Sequence, residues 1–133
     1  MDFFWPVLAI VYQGWTLTLP GVVIFALAVG LPRRRSEDLY SSRQLALAAL
    51  LVFPITIVSI GAAFWHEDSH SFAPRWPAII LSDLWLAHVV VAVYLVMKFD
   101  DVRVRAAIAG ISSVWVSTWV VLISVMAVTN DWI

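Results

Sequence analysis

The sequence predicts an all-α integral membrane protein, a four-helix up-down bundle with the N-terminus and the C-terminus both on the outer side. Three observations carry this. Four apolar runs, residues 3–31, 45–65, 78–97 and 106–128, contain between them a single side chain charged at neutral pH, Asp83, and a single histidine, His88. Each run is long enough, at about 1.5 Å per helical residue, to cross a hydrocarbon core of roughly 30 Å. Seven of the eight Lys and Arg residues fall in two of the connections, 32–44 and 98–105.

Composition narrows the class before any motif is considered. The chain has 133 residues, of which 62% are hydrophobic and 13% charged, with a mean hydropathy of +0.92. That leaves room for a single four-span domain over residues 1–133 and for no soluble catalytic domain, so the reading leans away from an enzyme. There is no cysteine, which removes thiol chemistry, disulfides, thiolate metal sites and covalent haem attachment. No glycine-rich phosphate loop, nucleic-acid-binding pattern, internal repeat or low-complexity segment is present.

The first run reads as a span rather than a cleavable signal. No basic residue precedes it, and Pro32-Arg33-Arg34-Arg35 closes it like a stop-transfer flank. Pro20-Gly21 near its middle predicts a kink. Such breaks free carbonyls that transporters use for ions, but Thr16, Thr18 and neighbouring helices can also satisfy them. Fully helical, the run would be about 43 Å long, so tilt or bending must absorb the excess. Pro54 predicts a kink in the second run, which carries Gly61-Ala62-Ala63 near its outer end. The third run carries Asp83 and His88. The fourth shows a stripe of small residues, Ala106, Gly110, Ser113, Ser117 and Ser124. Lipid gives helices no hydrophobic reason to associate, so small residues mark packing faces. This stripe is expected to face inward and Val116 and Leu122 to face lipid.

Lys and Arg resist translocation, which sets orientation. Arg33, Arg34, Arg35 and Arg43 lie in connection 32–44, and Lys98, Arg103 and Arg105 in connection 98–105. Both lie on one side of a four-span chain, with Arg75 alone on the other. The basic side is expected to be cytoplasmic, and the membrane a bacterial cytoplasmic (inner) membrane. Phe3, Phe4, Trp5, Phe64, Trp65, Phe72, Trp76 and Trp132 gather near the outer boundary, where aromatic rings favour the headgroup region. The in-span tryptophans Trp15, Trp85, Trp115 and Trp119 need acceptors for their indole N–H groups.

Charge at membrane depth costs about 2.5–3.5 kcal/mol at a helix centre, so Asp83 and His88 are the first candidates for a site. Tyr12, Gln13 and Thr16 on the first span, Thr56 and Ser59 on the second, and Ser117 and Thr118 on the fourth lie at matching depth. An intramembrane polar site of Asp83, His88, Gln13, Tyr12 and Ser117 would suit a proton path, an ion or a small cation. The competing reading makes Asp83 and His88 structural, hydrogen-bonded to neighbouring helices. Five residues apart, they differ by roughly 140° around the helix, so no narrow stripe holds both. His88 could also ligate haem iron, with a second axial histidine supplied by another copy or subunit.

In connection 66–77, His66-Glu67-Asp68-Ser69-His70 matches H-E-x-x-H and resembles the zinc-protease motif over those five residues, in which a helix holds both histidines on one face. Asp68-Ser69 and Pro74 discourage that helix, and nothing in the chain could build a protease cleft. Binding of Zn or Cu by His66, Asp68 and His70 is the milder alternative, and a solvated loop the mildest.

Three functions compete. The favoured one is a small accessory or assembly subunit of a larger membrane complex, whose contacts are the bilayer and a membrane-protein partner or further copies of itself. The second is a proton, ion or small-molecule transport module centred on Asp83 and His88. The third is a haem- or metal-binding redox subunit. No nucleic-acid partner is expected.

Overall fold

A computed structural model describes residues 4–30, 37–65 and 75–129, all but a few in helices. Helix α1 spans Phe4–Gly30. Helices α2 (Glu37–Ala48) and α3 (Val52–Ala63) are joined by a 3-10 turn over Ala49–Leu51. Helix α4 spans Trp76–Lys98, and a second 3-10 turn at Asp100–Val102 leads into α5, Arg103–Thr129. Four segments, Trp5–Gly30, Ser42–Ala63, Trp76–Lys98 and Asp100–Thr129, are each long and apolar enough to cross a membrane.

Helix boundaries and apolar boundaries differ, for a simple reason. A helix satisfies its own backbone in water or in lipid, so it need not stop where apolar residues stop. Thus α2 begins at Glu37 and carries Arg43 and Gln44 ahead of the apolar run. The turn at Ala49–Leu51 ends three residues before Pro54, the residue expected to bend this span. A proline ring clashes with the carbonyl four residues earlier, here Leu50, and offers it no N–H. Tightening that turn into 3-10 geometry is the local response. Pro20 lies inside α1, which runs helical through it. Pro77 sits in the first turn of α4, where a missing N–H costs nothing.

Neighbours run antiparallel, as short connections require. Gly14 of α1 faces Ile123 of α5 and Gly21 faces Val116, so the two helices run in opposite directions. Gly110 of α5 meets Ala92 of α4 while His88 meets Ser113 and Ser117, again antiparallel. At the end where α1 finishes and α5 begins, the Gln44 amide donates to the Val29 carbonyl at 2.7 Å, and Arg43 pairs with Asp101.

In cross-section the bundle is a diamond. Helix α5 packs against α1, α3 and α4, and α3 also packs against α1 and α4, whereas α1 and α4 share no substantial interface. The α3–α5 pair is the short diagonal. Half of the most apolar window of the α5 span is buried, against 17% for α1 and for α4. Toward the end opposite the Arg43–Asp101 pair the core divides on either side of this diagonal. Ile10, Ala62, Ile123 and Ala127 form the α1 side, and Ile57, Leu81, Val121 and Val128 the α4 side. Toward the Arg43–Asp101 end a third cluster centres on Phe25, Leu50, Ala92, Phe99 and Ala106.

The small residues of α5 are buried as the stripe requires: Ala106, Gly110, Ser113, Ser117 and Ser124 all face other helices. Val116, expected to face lipid, is also buried, against Gly21. Leu122 is exposed. The inward surface of α5 is therefore wider than one stripe, because three helices touch it. Contact is closest along the diagonal. A Cβ added at Gly61 would lie 2.6 Å from Ser124 Cβ and 3.2 Å from its Cα. At Gly21 it would lie 2.8 Å from Val116 Cγ2 and 3.2 Å from the Ser112 carbonyl. At Gly110 the nearest atoms would be 3.6 Å away, ordinary contact.

Candidate functional site

His88 is fully buried, with 0% exposure, at the centre of the α4–α5 interface. Ser117 Oγ lies 2.8 Å from its Nδ1 and Ser113 Oγ 3.2 Å from its Nε2. Serines four apart on a helix share a face, so α5 presents two hydroxyls as a clamp around one imidazole edge. Phe53 of α3 covers a flat side of the ring, with centroids 4.8 Å apart and planes inclined by 2°. The ring thus ties α3, α4 and α5 together at mid-span.

Hydrogen-bond bookkeeping defines what this cluster can do. Ser113 Oγ also lies 2.9 Å from the Gly110 carbonyl, and Ser117 Oγ 3.1 Å from that of Val114, so each hydroxyl can donate within its own helix. A neutral imidazole has one donor and one acceptor nitrogen. One serine therefore accepts from the ring while donating to its helix carbonyl, and the other turns its proton to the ring. Either serine can take either role. Both nitrogens are engaged in each arrangement, which leaves none free for an iron or other metal unless a serine bond is given up. The haem-ligand reading of His88 does not fit this donor arrangement.

A parallel series of polar bonds flanks the cluster. Trp85 Nε1 donates to Thr118 Oγ1 at 3.0 Å, about one turn from His88 toward the start of α4. Trp115 Nε1 donates to the Leu17 carbonyl at 2.9 Å, linking α5 to α1 in the turn before Pro20. Thr18 Oγ1 donates to the Gly14 carbonyl at 2.9 Å, and Thr56 and Ser59 likewise bond back to their own helix. Two of the four in-span indoles thus have the acceptors that their depth demands.

The residues singled out from sequence separate into two groups. His88 and Ser117 come together inside the bundle. Asp83, Tyr12 and Gln13 are exposed on its outer surface, Asp83 on the side of α4 turned away from His88. Among the described residues no hydrogen bond or ion pair reaches Asp83. The five residues do not line a common cavity. Ser113, read from sequence only as a packing residue, is the second ring partner. Its spacing of four from Ser117 was the available signal, whereas nothing in the sequence marked Phe53 as the ring's cover. The candidate metal ligands His66, Asp68 and His70 lie outside the described residues. Among the described residues no group of three His, Cys, Asp or Glu is placed to hold a metal ion.

The larger grooves lie on the outside of the bundle. One of about 640 Å³ runs between the end of α1 and the Asp100–Arg105 segment. Another of about 490 Å³ lies between α4 and α5 along Ala92, Val96, Gly110 and Trp115. Neither includes His88 among its walls. Comparison of the chain with protein-family models, with curated proteins and with solved structures found no match.

Proposed function

We propose that this protein is an accessory or assembly subunit of a larger membrane complex. The observation that carries the reading is the state of His88. The one ionisable side chain fully buried among the described residues is saturated by Ser113 and Ser117, stacked on Phe53 and walled off from the grooves. The α3–α5 diagonal fills the centre where a four-helix channel would run. Interior polar chemistry therefore serves to fix helix register, and the surfaces left for function are those that face outward. A transport module centred on Asp83 and His88 would need the two to meet, and they lie on opposite sides of α4.

The proposed topology places the N-terminus and C-terminus outside and connections 32–44 and 98–105 in the cytoplasm, in a cytoplasmic membrane. It rests on the seven basic residues of those connections. The decisive experiment is purification of the tagged chain in mild detergent, with size, subunit stoichiometry and absorption spectrum read together. A second membrane protein in fixed ratio, whose complex fails to form when this chain is deleted, is the expected result. A bare homo-oligomer that conducts protons or ions in liposomes would replace this reading with transport. A Soret band would replace it with the redox reading.

A further inference from the structure

Asp83 lies seven residues into α4, about 10 Å of helix rise from its first residue. A carboxylate on one methylene cannot reach back that far to water, and no described residue compensates it. The face on which it stands is also ordered by spacing. Ile80, Asp83, Ala87, Val90, Tyr94 and Met97 follow one another at alternating intervals of three and four, and all are exposed. That alternation is the seam of a left-handed helix pair. The opposite side of α4, with Leu81, His88 and Ala92, is the one spent on the bundle. Ala87, one turn inward of Asp83, leaves room for a second backbone to approach.

We infer that this face of α4 is the docking surface for a transmembrane helix of another membrane protein carrying a lysine or arginine in its outer half, at the depth of Asp83. The inference rests on the assembly reading and names the partner's chemistry. A basic side chain compensates the carboxylate where lipid cannot, and its own cost of insertion falls at the same time. A second copy of this chain is the poorer occupant, because a two-fold axis along the membrane normal through this face would set Asp83 against Asp83.

The test uses the full chain reconstituted in phosphatidylcholine vesicles with a synthetic single-span leucine-alanine helix. One version carries one lysine at the depth of Asp83, another carries leucine there and a third glutamate. Energy transfer between labelled chain and probe should show the lysine helix associating on the order of tenfold more tightly than the leucine helix. Asp83→Asn should remove the difference and Asp83→Lys should transfer the preference to the glutamate helix. An unchanged melting temperature in both variants shows that the fold is intact, as an exposed position requires. Equal binding of the lysine and leucine helices by the wild type overturns the inference. So does self-association of the chain that Asp83→Asn abolishes.

In native membranes, a photo-cross-linker at Val90 should give a protein adduct that Asp83→Asn removes. Protein adducts only from a cross-linker at Leu122 would overturn the α4 surface and leave the assembly reading standing. Lipid adducts alone at both positions would overturn both.

Discussion

Single atoms decide several contacts inside this bundle, and the serines of α5 show how differently equal side chains can behave. Ser113 and Ser117 each hold a nitrogen of His88, whereas Ser124 Oγ is buried against Gly61 without a hydrogen-bond partner. Ser124→Ala removes an unsatisfied hydroxyl and should leave stability unchanged or raise it by up to about 1 kcal/mol. Ser117→Ala removes a satisfied one and should lower it by about 0.6 kcal/mol. His88→Ala loses both bonds and leaves a cavity beside Phe53, so its cost should be the largest of the three, about 2 kcal/mol. Thermal unfolding in one detergent ranks all three. A His88→Ala variant as stable as wild type would remove the register role assigned to this residue. The glycines divide in the same way. Gly61→Ala forces backbone apart along the diagonal and should cost about 1–3 kcal/mol. Gly110→Ala meets only ordinary contacts and, with alanine the better helix former, should be neutral or gain up to about 1 kcal/mol. Folded yield and melting temperature of the pair check this directly.

At the scale of elements, α5 is where sequence and structure part company most usefully. Its small-residue stripe was legible, since Ala106, Gly110, Ser113, Ser117 and Ser124 repeat at helical spacing and are all buried. The width of its inward surface was not legible. Periodicity reports which direction a helix turns inward, but not how many neighbours surround it, so Val116 read as lipid-facing although it packs on Gly21. For α4 the 140° between Asp83 and His88 was readable, and the structure resolves it by turning one inward and the other out. Which hydroxyls would meet His88 depended on which helix lay beside it, and pairing of helices leaves no trace in a single span. A kink was expected at Pro20, but α1 runs helical through it, and the 3-10 turn at Ala49–Leu51 ahead of Pro54 is a compromise set by local sterics that composition does not specify. Interhelical bonds offer a further check. Trp115→Phe keeps the packing bulk and loses only the bond to the Leu17 carbonyl, so it should destabilise by about 0.6–1.7 kcal/mol. A larger loss would mean that the indole N–H supports the turn of α1 ahead of Pro20 beyond a single bond.

For the whole molecule, the four apolar runs anticipated the four long helices that the structure displays, while the proposed orientation rests on the charge of the connections alone. A cysteine at Ser69 should react with an impermeant thiol reagent in intact cells, and one at Ser41 should react only after lysis. The reverse pattern would invert the proposed topology. The ion pair of Arg43 with Asp101 fastens the second span to the α4–α5 connection, but both side chains are partly in solvent. Exposed pairs are worth about 0–1 kcal/mol, so Asp101→Asn should shift the melting temperature little and raised salt should weaken the pair further. Packing rather than charge holds this bundle closed.

The diamond arrangement also has a consequence for biogenesis. The span that touches every other one, α5, is the fourth to leave the ribosome, and α1 and α4 have no substantial interface of their own. Until α5 arrives, the earlier spans have little to hold them beyond the contacts of α3. His88 waits in lipid with no serine to meet it, and Gly14, Gly21 and Gly61 face gaps. On the proposed membrane insertion, the bundle closes only once α5 is present, and the three earlier spans stand as separately inserted helices until then. A chain ending after Val102 should insert fully yet remain protease-sensitive, and residues 99–133 expressed as a second polypeptide should restore resistance.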